Sequence, residues 1–389
     1  MPSVLVTLAD VLPLEGVLVV GLEQAVSAPH CTRQLADLGA RVIKVESANG
    51  DFARHYDEAV HGVSAHFAWA NRGKESVVLD LKSERGRAAL DGLLSRADVF
   101  VQNLAPGAAE RLGLDAQTLA SAHPRLVAVD ISGYGTGGPR EGGRAYDLLV
   151  QSESGSCAVT GTEGNPAKPG IPLADVGTGM VAANAILAAL VRRGVSGTGA
   201  AISIAMFDVL TDWMSWALHQ ARATGKDPIP LGVGSPMVSP YGAFETADHQ
   251  TIVLGTTNDA EWQRLAASVL GRPDLAESPR YATNTQRCEL RGELDEVIGA
   301  WASATSFADA SAAAEAATIG WARLNTPTDL LTHPQLLERD RWVGTAIDGE
   351  RFLSLRPAAE SAAWEWTPRA VPAIGEHTAA VLKELGLAE

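Results

Sequence analysis

The chain has 389 residues, 46% hydrophobic and 20% charged, the balance of a folded globular protein rather than a disordered one. That length exceeds one ordinary core and predicts two domains. Lys and Arg number 31 against 46 Asp and Glu, a formal net charge of −15. Such a field repels polyanions, so neither nucleic acid nor an anionic membrane surface is expected as a partner, although a local basic pocket for a small anion remains open.

Cys31, Cys157 and Cys288 form no CxxC and no metal-ligand spacing, and read as reduced thiols of a cytoplasmic protein. Met1 to Leu14 lacks a basic n-region and is followed by Glu15, so no signal peptide is expected. The apolar run Met180 to Val191 is too short to span a bilayer and reads as a buried core helix.

In chain order, Gly16–Val20 is a short buried strand. A helix with Leu35 and Leu38 on one face ends at Gly39, and Arg41–Glu46 is a second strand. This is a βαβ unit, which implies parallel pairing. The unit recurs: strand Ser76–Leu81, N-cap Ser83, helix Arg85–Arg96, strand Asp98–Gln102, then a further helix and strand Arg125–Ile131. Such alternation predicts an α/β fold, a doubly wound Rossmann-like large domain that binds ligands at the carboxyl ends of its strands. Asp175 to Arg193 is a helix closed by Gly194, Ala200–Ala205 a strand, and Phe207–Thr224 an amphipathic helix. Asp227–Pro240 is rich in Pro and Gly and reads as a linker. Thr251–Gly255 opens a second, mostly helical unit, with an Ala-rich helix over Ala308–Ala317, and Thr378–Leu387 is a short final helix. The large domain is expected over 1–205 plus 333–389, linkers over 206–227 and 323–332, and an inserted smaller α+β domain over 228–322.

A dinucleotide site is tested first. Glu46 ends the second strand, where a ribose-binding acid would sit. The first turn, Gly21 to Pro29, lacks the second and third glycines needed for a pyrophosphate, and the cluster Gly133, Gly135, Gly137, Gly138 leads into Pro139 rather than a helix. No nicotinamide cofactor is expected. GxxxxGK[ST], HExxH and GxSxG do not occur, so neither a P-loop, a metal site nor a serine elbow is expected. Two carboxylates stand out. Asp175 begins an apolar helix between glycines, and Asp147 follows the glycine cluster. Each fits a helix cap. From the sequence alone the cap is the better reading of Asp175; the same geometry also suits a carboxylate nucleophile towards an activated acyl group, stabilised as an anion by the helix N-terminus.

The motifs in order resemble the class III CoA-transferases, the family of formyl-CoA and carnitine CoA-transferases and the α-methylacyl-CoA racemases, over nearly the whole chain. They are Pro13–Gly16, Gln34–Glu46, Gly50-Asp51, Asn71–Lys82, Asn103–Gly107, Arg111–Gly113, Gly133–Gly135, Tyr146-Asp147, Asp175 with Gly179-Met180, and Gly375–Thr378. The resemblance implies an interlocked homodimer, with acyl-CoA and a small carboxylic acid as substrates and partners. It implies Asp175 as the nucleophile that carries first an acyl anhydride and then a CoA thioester, with Asp147 and Tyr146 beside it. Thioester exchange conserves the activation energy, so neither ATP nor a metal is needed, but water must be kept from the anhydride. Gly177 and Gly179 are oxyanion-donor candidates, or packing glycines.

By the same resemblance, coenzyme A lies along Ser27, Leu79, Lys82, Asn103, Leu104, Arg111 and Arg144; the cationic residues suit its phosphates. Ser47 stands where a related transferase carries arginine, and Gly232–Pro236 where the formyl-CoA enzyme has its glycine-rich covering loop. The racemase branch needs a His–Asp pair. Its histidine falls on Tyr146, and its glutamate near Asn258; a phenol, titrating near pH ~10, is a poor two-way proton carrier. Transfer is therefore expected over racemisation, the alternatives being a 2-methylacyl-CoA racemase or epimerase and a non-catalytic CoA- or nucleotide-binding protein. Gly50–Asp57 and His66–Trp69 resemble members acting on small dicarboxylic acids such as succinate, itaconate, mesaconate or malate. Arg54, His55 and His66 are the expected substrate contacts.

Overall fold

The computed structural model describes residues 11–387; most of the Met1 to Leu14 segment read against a signal peptide, and the two ends of the expected large domain, lie outside the described residues. Its centre is a parallel sheet of six strands: β1 (Leu18–Leu22), β2 (Arg41–Glu46), β3 (Lys74–Val78), β4 (Val99–Gln102), β5 (Val127–Ser132) and β8 (Ala200–Ala205). Their order is β3-β2-β1-β4-β5-β8. The winding reverses between β1 and β4, the place where doubly wound sheets bind ligands.

Both faces of the sheet are covered, which is why the strands read as continuous apolar runs rather than alternating ones. Val19, Val42, Val99 and Val127 pack on one face against Leu35 of α1 (Ser27–Asp37) and Ile186 of α7 (Leu173–Ser196). Val20, Ile43 and Phe100 face the other way. They meet Leu90 of α3 (Glu84–Leu94), Leu119 of α5 (Ala116–Ala122) and Val381 of the final helix, Thr378–Glu384. That helix is tied to β3: the His377 N–H donates to Ser76 O at 2.9 Å, and Thr378 Oγ1 accepts from the Val78 N–H at 3.0 Å. Chain end and chain start thus share one core. The helices not yet placed in this unit are α2 (Ala65–Asn71), α4 (Ala108–Leu112), α6 (Asp147–Glu153) and α8 (Met206–Trp213). A hairpin of β12 (Trp342–Ile347) and β13 (Glu350–Leu355) belongs to the same unit.

The smaller unit comprises Cys157–Lys168 and Trp216–Leu336. Antiparallel β9 (Tyr241–Glu245), β10 (Thr251–Gly255) and β11 (Gly320–Arg323) form its sheet. Short helices pack on it around Trp262, Leu265, Ile298 and Ala310. A two-residue hairpin, β6 (Gly161–Thr162) with β7 (Asn165–Pro166), and α9 (Ser215–Thr224) complete the numbering. Several boundaries differ from the sequence expectation. Residues 157–168 cluster with the smaller unit, not the large domain. The expected linkers dissolve: 206–215 join the large unit, whereas 216–227 and 323–332 join the smaller, as do 333–336, expected in the large domain. The helix expected over Phe207–Thr224 is two, α8 and α9, divided at Met214.

Helix α7 begins two residues before Asp175 and passes through Gly194 to Ser196. Its stop is Gly197, whose left-handed φ of 76° suits the residue after a helix and costs glycine little. Gly194 is tolerated because the preceding turns are held by packing. At 24 residues α7 is long and apolar enough to cross a membrane by length, more than the apolar run suggested. Its buried face packs on α1 and the sheet, and Arg193 near its end bonds Asp98 Oδ1 at 2.8 Å.

Candidate active site

At the switch point the segment after β1 is clamped from both sides. The Gln24 N–H donates to Asn103 Oδ1 at 2.9 Å, and Asn103 Nδ2 returns to Gln24 O at 2.8 Å and Ser27 Oγ at 3.3 Å. From the β2 side, Asp51 Oδ1 accepts from the N–H groups of Ala25 at 3.1 Å and Ala53 at 2.9 Å. Between the clamps Ala25 holds φ 63°, a conformation unfavourable for a residue with a Cβ and kept only where surroundings over-determine it. Ser27, Asn103 and Leu104 thus lie at one place, the carboxyl ends of β1 and β4.

Beneath them is a buried charge network that sequence reasoning passed over. Lys74 Nζ bonds Glu23 Oε1 at 2.6 Å, Pro29 O at 2.9 Å and Asn71 Oδ1 at 3.0 Å. Lys44 Nζ bonds Asp51 Oδ2 at 2.9 Å and Glu23 O at 3.1 Å. Burial raises the Glu23 carboxyl, but Lys74 and Lys44 outweigh it and hold it below the usual range. Burial lowers Lys74 to about 8 against the pull of Glu23. Two carboxylates and two ammonium groups balance, so the strand ends are fixed by hydrogen-bonded charges without a net buried charge. Lys44, Asp51 and Lys74 were within quoted motifs, but only the tertiary structure pairs Lys44 with Asp51 and Lys74 with Glu23.

The glycine cluster after β5 turns the chain back. A Cβ on Gly133 would strike Ala145, and the close approach carries Tyr146 and Asp147 to the start of α7. Here the two carboxylates divide the work. The helix cap is Asp147: its Oδ1 accepts from the Ala174 N–H at 2.9 Å and from the Asp175 N–H at 3.4 Å. Asp175 is the third residue of α7, inside the first turn, not its cap. Gly177 and Gly179 lie further along α7, where backbone N–H groups bond within the helix. Their role is close packing, since a Cβ would meet the Trp213 ring at 2.6 Å and Ser27 O at 2.7 Å respectively.

Tyr56, absent from the expected set, joins this group. Burial together with the nearby Asp51, Asp175 and Tyr146 raises its hydroxyl to about 12, so it remains a protonated donor. Its ring meets His66 edge-on at 6.1 Å, and His66 meets Trp69 at 6.5 Å. His55 and His66 are exposed, the first adjacent in sequence to Tyr56. Arg54 departs from expectation. It is buried, with Nε and Nη2 on Glu46 at 3.0 and 2.7 Å and Nη1 on Pro372 O at 3.1 Å, and it stacks 3.9 Å from the Phe67 ring. It is a structural pair for Glu46 rather than an open carboxylate receptor.

Lys82, Arg111 and Arg144 are exposed. Among the described residues none of the three has a salt bridge. They follow β3, β4 and β5, strands that span about 19 Å of the carboxyl edge at the usual strand spacing. Gly107 makes room for Arg111, whose Nη1 would lie 2.8 Å from a Cβ there. Leu79 is buried in the apolar cluster under this edge.

Fold and site define a doubly wound α/β protein with a carboxylate-bearing site at the carboxyl edge of its sheet. The sequence matches the CoA-transferase family III over residues 14–378, and the chain belongs to that family. It is therefore an enzyme of the CoA-transferase kind, whose family uses CoA thioesters as substrates. A succinate–glutarate CoA-transferase of Agrobacterium fabrum is 33% identical over 391 residues, 96% of each chain. An acetyl-CoA:oxalate CoA-transferase of Acetobacter aceti is 38% identical over 278 residues, 71% of each. The crystal structure of a CaiB/BaiF family protein from Brucella suis superposes with a TM-score of 0.83 at 30% identity, covering 97% of this chain and 100% of that one.

Two stability predictions follow from the buried charges. Arg54→Met leaves Glu46 buried and unpaired and is expected to cost about 3–5 kcal/mol in urea denaturation; a raised KM with unchanged stability would instead return Arg54 to the substrate. His30 is held near 4 by burial and by Arg33 and Lys74. Its unfolded value, 6.5, is higher, so between these values the unfolded chain binds more protons and stability falls as pH drops. The loss reaches about 3 kcal/mol below pH ~4. His30→Gln should lack this component when unfolding free energies at pH 7 and pH 4 are compared with wild type.

Proposed function

We propose that this enzyme moves CoA from an acyl-CoA donor to a small dicarboxylic acid through covalent intermediates on Asp175. The observation that carries this reading is the place of Asp175: the first turn of α7, with Asp147 on the first N–H groups of the helix and with Tyr56 and Tyr146 close by. The Asp175 carboxylate attacks the thioester carbonyl and expels CoA thiolate, forming a mixed anhydride. The thiolate attacks the aspartyl carbonyl of the anhydride, releases the donor acid and leaves Asp175 as a CoA thioester. The acceptor carboxylate attacks that thioester and expels the thiolate again. The thiolate takes the acceptor acyl group from the second anhydride and regenerates Asp175. Tyr56 supplies a protonated hydroxyl beside the charge that develops on the carbonyl oxygen.

In this proposal CoA follows the carboxyl edge. Ser27, Asn103 and Leu104 meet it at the switch point, Leu79 supports the adenine from below, and Lys82, Arg111 and Arg144 meet its phosphates. The far carboxylate of the acceptor lies towards His55 and His66, in keeping with relatives named for glutarate and oxalate. Tyr146 in place of a histidine supports transfer over racemisation. The homodimer implied by the family resemblance belongs to the same proposal, and sedimentation at the mass of a single chain would overturn it.

Incubation with succinyl-CoA should add CoA to the peptide bearing Asp175. Hydroxylamine should then release the CoA and leave a hydroxamate at Asp175, both read by mass spectrometry. Asp175→Ala should lose the adduct and at least about a thousandfold of transfer rate. Transfer by that variant at the wild-type rate would end this reading.

A further inference from the structure

Gln151 lies one turn after Asp147 on α6, and its side chain is fully buried. Its Nε2 donates to Asp147 Oδ2 at 2.7 Å, while Asp147 Oδ1 receives the N–H groups of Ala174 and Asp175. The orientation of the amide is forced, because a carboxylate only accepts and the nitrogen must face it. Oε1 is thereby turned into the interior, where no described residue donates to it. An orphaned buried carbonyl destabilises the fold, and an apolar side chain of the same volume would avoid that cost. What an apolar side chain cannot do is hold Asp147.

We propose that Gln151 is a positioning residue of the transfer reaction: through Asp147 it fixes the first turn of α7 and with it the carboxylate of Asp175. The inference rests on Asp175 being the nucleophile. A carboxylate attacking a thioester must approach along an aligned path, and a displacement of about 1 Å costs on the order of a hundredfold in rate. The N–H groups at a helix start are strong donors, and left open they would draw in whichever carboxylate was nearest, including that of Asp175 itself. Asp147 occupies two of them, and Gln151 prevents Asp147 from rotating away.

The test uses the full-length enzyme with succinyl-CoA, following formation of the Asp175–CoA adduct by quenched mass spectrometry. Gln151→Met should slow adduct formation about 10- to 100-fold while KM for succinyl-CoA stays within about twofold. Hydrogen exchange over residues 173–178 should quicken. Gln151→Asn keeps the amide but falls a methylene short, and should show the same defect in milder form, which covers the case of a Met variant that does not fold. Asp147→Asn combined with Gln151→Met should be no slower than Asp147→Asn alone, because both break one chain of contacts. Adduct formation at the wild-type rate in the Gln151 variants, unchanged exchange, or additive rate losses would overturn the proposal. A wild-type enzyme that forms no adduct on Asp175 is a different result, which sinks the nucleophile reading on which it rests.

Discussion

Two carboxylates meet at the start of one helix, and the structure turns on which of them takes its N–H groups. Helix α7 presents unsatisfied donors at its first turn, as every helix does. Asp147 accepts two of them from a different helix, 28 residues away in sequence from Asp175. This docks α6 on α7, fixes the direction of the loop that carries Tyr146, and leaves Asp175 on the first turn without the duty of capping it. The close approach of Ala145 at Gly133 and the buried amide of Gln151 serve that meeting, while Gly179 lets α7 pack closely on α1.

The opposite wall is held by charge. Glu23, Lys44, Lys74 and Asp51 are taken out of water as a balanced set, each with hydrogen bonds to a partner or to backbone. Such a network adds little net stability compared with an apolar core, because desolvation offsets the attraction. What it does provide is geometry. It fixes the ends of β1, β2 and β3 relative to one another and sustains the left-handed Ala25 between Asn103 and Asp51. The anhydride route proposed above would require a site that excludes water and holds its donors ready before the substrate arrives. Rigid strand ends joined by buried ion pairs meet that need, and the pair of Arg54 with Glu46, linked to Asp51 through the Asp51 N–H on Glu46 Oε1 at 2.9 Å, extends the same rigidity to the segment beside Tyr56.

Much of the frame was legible in the sequence because it depends on local pattern. Apolar runs of four to six residues separated by helical periods can satisfy their backbone only as a buried parallel sheet. Ser83 reads as an N-cap and is one, accepting from the Gly86 N–H at 3.0 Å. Where side chains rather than backbone period decided the matter, local pattern failed. Arg54 looks like a substrate contact from its neighbours, since nothing near it in sequence reveals that Glu46 lies opposite. Asp175 looks like a cap because the residue that caps its helix is on another element. Tyr56 lies inside the quoted stretch Gly50–Asp57 but nothing there marks it out from its neighbours, Gln151 carries no motif at all, and the division of Phe207–Thr224 at Met214 has no proline or glycine to announce it.

The sequence by itself determined the class of fold, the order of its βα units and the family, because these follow from periodicity and from motifs spaced along the chain. The tertiary structure alone decided which charges are paired and which stand open. That division has a physical reason. Backbone hydrogen bonding and apolar burial repeat over a few residues, whereas the partner of a buried charge is chosen by contact across the fold. Glu23 finds Lys74 and Asp147 finds the start of α7 only when the strands and helices between them have packed.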